Sequence, residues 1–85
     1  MYRIFLTAKA EKEYKKLPSR VAQDVSRLFG GEFSDNPLSK TLDINKLRVP
    51  FLGYRLRIGS YRILFVIEGK TITVYSIKHR KDAYK

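Results

Sequence analysis

The chain contains no cysteine, one histidine, and eight acidic residues against eighteen lysines and arginines in 85 positions. Without cysteine, disulfides and thiolate metal sites are excluded. The single His79 cannot build a zinc site alone. Absence of cysteine suits a reducing cytoplasm. No apolar run approaches the roughly 20 residues that span a bilayer. The opening MYRIFLTAKA carries too short an apolar stretch for a secretory signal. A cytoplasmic protein with no membrane partner is therefore expected, and no cofactor or metal. The shortage of acid is also uneven. Between Asp43 and Glu68 there is none, while Lys46, Arg48, Arg55, Arg57 and Arg62 fall in that interval.

A net charge of +10 says little about fold and more about partners. The candidates are nucleic acid, an anionic membrane surface or an acidic protein, set against a merely soluble basic surface. The one-signed interval favours a partner, since an undirected basic surface mixes its signs. A chain of 85 residues supports one domain, spanning 1–85, with a modest core.

Hydrophobic periodicity sets out the elements. Tyr2, Ile4 and Leu6 alternate with Arg3 and Phe5, which predicts a short strand. Thr7 then offers a helix cap. Ala10, Tyr14 and Leu17 make one apolar stripe, and Lys9, Glu11, Lys12, Glu13, Lys15 and Lys16 make a solvated face. Pro18 stops that helix, and Ser19 offers a cap to a second. Val21, Val25, Leu28 and Phe29 give the second stripe, ended by Gly30-Gly31. Residues 34–53 hold two X-Pro pairs and no sustained period, which predicts a loop with at most a short strand or helical turn. Three strands follow, over 54–58, 61–67 and 71–78, with hairpin turns at Gly59-Ser60 and around Gly69. The order predicts an α+β domain: an N-terminal strand, a two-helix hairpin and a three-strand antiparallel meander. The helices should cover one face of a twisted, mostly antiparallel sheet.

The segment YRLRIGSYRILF, residues 54–65, alternates bulky apolar residues with arginine across its turn. A two-residue turn pairs Ile58 with Tyr61, Arg57 with Arg62, Leu56 with Ile63 and Arg55 with Leu64. Opposed residues share a face. Tyr54, Leu56, Ile58, Tyr61, Ile63 and Phe65 thus form the helix-facing side, and Arg55, Arg57 and Arg62 lie on the other. The parity of the next hairpin adds Ile72 and Val74 to the core side and Thr71, Thr73 and Tyr75 to the arginine side. Arg57 opposite Arg62 is a like-charge pair with no acid near it in sequence. Arginines can splay into solvent. Their convergence from adjacent strands suits phosphate instead, because guanidinium donates in a planar fork.

The chain ends in SIKHRKDAYK, which puts His79, Arg80 and Tyr84 just past the last strand. By itself this reads equally as a frayed basic terminus. Together, TAKAEKEYKKLP, NPLSK, NKL, YRLRIGSYRILF and IKHRKDAY resemble the RelE/ParE superfamily of toxins over nearly the whole length. The pattern YRLRxGxYRI with a terminal HRKDAY is the specific part, and the ending favours the RelE-like branch over the gyrase-directed ParE branch. The resemblance implies an endoribonuclease that cuts messenger RNA in the ribosomal A site and is restrained by a cognate acidic RelB-like antitoxin. It also implies site residues. Arg55 and Arg57 match the family's basic positions on the second strand, Arg62 the arginine opening the third, Arg80 the late arginine and Tyr84 the terminal tyrosine. His79 stands beside Arg80 where some relatives use a histidine. Lys46, Arg48, Lys78 and Lys81 are candidate RNA contacts.

One departure matters. The RelE pattern has lysines where this chain has Arg55 and Arg57. Lysine can be shifted into acting as a base, whereas arginine stays protonated, which leaves the general base unassigned. RNA cleavage of this type uses the ribose 2′-OH against the adjacent phosphate. Arginines stabilise the phosphorane, and such preorganised electrostatics usually contributes more to the rate than any other single effect. His79 is the one side chain type here that ordinarily titrates near neutrality. Tyr84 would donate to the leaving oxygen or stack on a base. Alternatively the ribosome orients the message and positioning carries the rate. Two other readings stay open: a toxin that binds DNA gyrase and cuts nothing, and a non-catalytic nucleic-acid-binding module. The last has few aromatic platforms, since Tyr75 and Phe5 are the only candidates on the arginine face.

Overall fold

The computed structural model describes residues 1–48 and 52–82. In chain order the elements are β1 (Arg3–Leu6), α1 (Ala8–Lys15), α2 (Ser19–Phe29), α3 (Glu32–Asp35), β2 (Ile44–Lys46), β3 (Tyr54–Ile58), β4 (Tyr61–Glu68) and β5 (Thr71–His79). The strands form one sheet in the order β1-β5-β4-β3-β2. β1 runs parallel to β5, and the other pairs are antiparallel. The α+β class and the two helices packed on one face of the sheet are as the periodicity predicts.

Local chemistry accounts for most boundaries. Thr7 Oγ1 accepts from the Ala10 amide and caps α1. Ser19 does not cap α2: Pro18 stands at the N-cap, with no side-chain capping bond, and Ser19 is already helical. Proline's fixed φ suits a helix start. The Tyr14 hydroxyl bonds the Ser26 hydroxyl and pins α1 against α2. Gly59 has φ 57°, the left-handed value that a tight hairpin asks of its first turn residue.

The core lies between the helices and the sheet. Ala10, Val25, Phe33, Leu56, Ile63, Phe65, Ile72, Val74 and Ile77 are all buried there. Phe33 stands edge-on to Phe65 at 4.9 Å, and Tyr54 stacks on Phe65 at 5.6 Å. Phe33 comes from α3, a turn of helix just past the Gly30-Gly31 stop, where the periodicity assigned no element.

Two features of the sheet bear on the site, and the second corrects the expected parity. The 34–53 segment, expected as a loop with at most a short strand or helical turn, supplies such a strand, β2, which pairs with β3 through Ile44↔Leu56, Asn45↔Arg55 and Lys46↔Tyr54. The β4–β5 ladder also does not keep one parity. It runs regularly from Glu68↔Thr71 to Phe65↔Val74, then shifts so that Leu64 faces Ser76, Arg62 faces Lys78 and Tyr61 faces His79. Tyr75 is the extra residue of a β-bulge. The physical reason is in the apolar spacing: Val74 and Ile77 both need the core, and three residues apart they can reach it only if one is skipped. β5 therefore includes His79, which was expected beyond its end.

Candidate functional site

The side of the sheet away from the helices carries Arg55, Arg57 and Arg62, as the hairpin register predicts. The bulge adds Lys78 to that side, directly opposite Arg62. Arg57, Arg62 and Lys78 therefore stand in one row across three strands. The row is closed at both ends by acids. Asp43 Oδ2 accepts from Arg57 Nε at 2.6 Å, and Asp43 Oδ1 accepts from Arg55 Nη2 at 3.5 Å. At the other end Glu13 pairs with Lys78 at 3.2 Å while also accepting from the Ile77 amide at 3.0 Å. The acids that the neighbouring sequence lacks are thus supplied from distant positions. Asp43 precedes β2, and pairing with β3 brings it alongside Arg57, whose amide donates to the Asp43 carbonyl at 2.9 Å.

The middle of the row is different. Arg62 is half-buried, and its Nε and Nη1 are buried with no hydrogen-bond partner among the described residues. Arg55 Nε and Ser76 Oγ share that condition. In the adjacent row, Arg55, Leu64 and Ser76 stand opposite one another, and Leu64 is 3% exposed. All four unsatisfied buried side-chain atoms among the described residues therefore surround Leu64 on one face. Buried polar groups in folded proteins are nearly always bonded, and exceptions call for an explanation, a catalytic role or a bound ion among them. Four atoms able to donate, three of them on guanidinium groups, are complementary to an anion with several acceptor oxygens.

The other predicted residues do not all join this group. His79 faces Tyr61 on the helix side of the sheet, edge-on at 5.3 Å. Its Nδ1 accepts from the Lys81 amide at 3.3 Å. There it lines a cleft of roughly 490 Å³ with Glu13, Lys16, Leu17, Tyr61 and Ile77. Arg80 is exposed, and its amide donates to the Ser60 carbonyl at 2.7 Å, which holds it at the β3–β4 turn. Lys81 and Arg48 are exposed beyond strand ends. Lys46 is exposed at the β2 edge, and its pairing with Tyr54 puts it on the helix side, off the arginine face. Tyr84 lies outside the described residues. The Tyr75 hydroxyl donates to the Leu52 carbonyl at 2.6 Å. Phe5 is 60% exposed and pairs with Thr73, on the arginine side.

Asp43 and Glu13 were missed as partners of the cluster. For Asp43 a signal existed in LDIN, residues 42–45, a four-residue alternation that marks a strand with its acid on the face away from the core. Glu13 had none. It reads as one more charge on a solvated helix face, and only the free edge of β5 beyond the end of β1 gives it an amide to bind.

A five-stranded mixed sheet, backed on one side by a helical pair and carrying a cationic row on the other, defines a small basic α+β domain. Its relatives are specific. A family model described as the ParE toxin of type II toxin–antitoxin systems, parDE, matches residues 4–84. Toxin RelE3 of Methanocaldococcus jannaschii is 31% identical over 74 residues, covering 86% of this chain and 84% of the relative. The RelB–RelE antitoxin–toxin complex of Methanococcus jannaschii contains a chain matching with TM-score 0.80 and 28% identity, covering 94% of each. The toxin–antitoxin complex RelBE2 of Mycobacterium tuberculosis matches with TM-score 0.79 and 29% identity, covering 93% of this chain and 98% of the other. The chain belongs to the RelE/ParE superfamily and is a toxin of the type II toxin–antitoxin class, RelE-like in fold.

Proposed function

We propose that this toxin is a ribosome-dependent, metal-independent endoribonuclease that cuts messenger RNA in the A site and so inhibits translation in the cytoplasm. The observation that carries the reading is the set of unsatisfied donors around Leu64, centred on Arg62. A scissile phosphate would supply the acceptors those atoms lack once the guanidinium groups, buried at these atoms, turn outward to meet it. The 2′-hydroxyl loses its proton to solvent as its oxygen attacks phosphorus. The bond to the 5′-oxygen breaks to leave a 2′,3′-cyclic phosphate and a 5′-hydroxyl, and charge grows on the non-bridging oxygens in between. Arg62 binds those oxygens, with Arg57 and Arg55 on its flank. Such donors are worth most where water is excluded. The resemblance adds Arg80 and Tyr84 as site residues, and in this scheme Tyr84 donates to the leaving oxygen. His79, across the sheet from the row, moves no proton in this scheme. The ribosome orients the message, and positioning carries much of the rate. Lys78 stands in the row, while Arg48 and Lys81 serve as outlying phosphate contacts. An acidic RelB-like antitoxin is the restraining partner, a reading supported by relatives solved as toxin–antitoxin complexes.

Primer extension on a translated message, with and without ribosomes, tests the scheme. New 5′ ends at codon boundaries, dependent on ribosomes, are expected. Their absence with soluble, folded protein refutes it. The ParE family description favours a second reading, a toxin that inhibits DNA gyrase. Loss of supercoiling activity with messages left intact would establish that one.

A further inference from the structure

We propose that Asp43 is a positioning residue for the cleavage reaction, holding Arg57 and Arg55 in a fixed presentation beside Arg62. The inference rests on the nuclease reading above. Leu42 and Ile44 pack against the core, so strand alternation turns Asp43 to the arginine face. The amide of Arg57 holds the Asp43 backbone at 2.9 Å, so the carboxylate is placed by the sheet and does not depend on its own ion pairs. One oxygen takes Arg57 Nε and the other takes Arg55 Nη2. A single carboxylate thereby ties two successive arginines on one face of β3, across two rows of the sheet.

The choice of atoms matters. Bonding Arg57 through Nε orients the guanidinium plane and leaves both of its Nη groups for an anion. Arg55 gives up one Nη donor and keeps the rest. Without the carboxylate, Arg57 faces the like charge of Arg62 across the strands and is free to turn away from it. The carboxylate also has a cost: it is a negative charge beside a phosphate site, so it weakens RNA binding. A residue that weakens binding yet speeds cleavage acts by orientation, and that combination separates this role from simple charge balance.

The experiment compares wild type, Asp43→Asn and Asp43→Glu. It measures affinity for a short single-stranded RNA at several salt concentrations and single-turnover cleavage on programmed ribosomes. It also follows the Arg57 Nε–H resonance by NMR. For Asp43→Asn, RNA binding should tighten, with a log–log salt slope steeper by about 0.7. Cleavage should fall about 10- to 100-fold, as expected for a misplaced binding group. The Arg57 Nε–H should lose its exchange protection. Asp43→Glu should recover most of the rate, because the carboxylate is restored. Cleavage by Asp43→Asn at the wild-type rate, or a rise in cleavage with binding, overturns the proposal and leaves the nuclease reading intact. Equal impairment of both variants with altered unfolding curves also overturns it, as a structural role. If wild type itself cuts nothing, the nuclease reading fails first and this inference with it.

Discussion

Replacing Arg62 with methionine should separate stability from activity in opposite directions. Methionine keeps the unbranched stem over its neighbours and removes the guanidinium. In the folded chain that group has buried Nε and Nη1 atoms without partners among the described residues. It also stands between Arg57 and Lys78 in register. An unsatisfied buried donor costs about 1–3 kcal/mol, and a like-charge cross-strand neighbour about 0.2–1 kcal/mol. The two neighbours are partly neutralised by Asp43 and Glu13, and Arg62 is only half-buried, so the low end applies. Arg62→Met should be more stable by about 1 kcal/mol, a rise in melting temperature of about 4–8 °C for a domain of this size. Cleavage should fall about 100- to 1,000-fold, the loss of one preorganised donor to the developing charge. Far-UV circular dichroism in urea reads the first effect, and ribosome-programmed cleavage at saturating folded protein reads the second. The chain has no tryptophan, so tyrosine emission is the fluorescence alternative. A variant destabilised by more than about 1 kcal/mol would show that Arg62 holds the sheet together. A stable variant with full activity would remove it from the site.

Two further outcomes follow from particular contacts and a third from the family resemblance. Gly53 has φ 85°, and a Cβ there would overlap the Phe65 carbonyl oxygen and lie 2.8 Å from Val66 Cγ1, so Gly53→Ala should lose more than about 2 kcal/mol in urea unfolding; wild-type stability would refute the contact. Glu13→Ala should cost about 1–3 kcal/mol by stranding the Ile77 amide, whereas Glu13→Gln, which keeps an acceptor, should cost much less. Equal losses in the two would show that the Lys78 ion pair is what matters. Tyr84→Phe should impair cleavage more than ribosome binding, measured by cosedimentation beside primer extension; full activity in Tyr84→Phe with loss in Tyr84→Ala would assign the ring to stacking and leave the hydroxyl idle.

Much of this molecule was legible in local sequence, because the interactions that decide it are local. The 54–65 hairpin is set by alternation and by a glycine at a left-handed turn, so its register, and with it the shared face of Arg55, Arg57 and Arg62, could be written from the residues alone. The stripes of α1 and α2 and the Thr7 cap are of the same kind. Tertiary structure decided what depends on distant partners. β2 exists as a strand because the exposed edge of β3 offers it a ladder. Its pairing brings Asp43 to arginines twelve and fourteen residues away. The bulge at Tyr75 is a compromise between β4 register and core burial, and it alone puts Lys78 beside Arg62 and turns His79 to the helix side. Which arginine of the cluster is left without an acid partner also could not be read from composition. That depends on where the acids stand in three dimensions: Asp43 and Glu13 take the two ends of the row, and Arg62 in the middle has neither within reach.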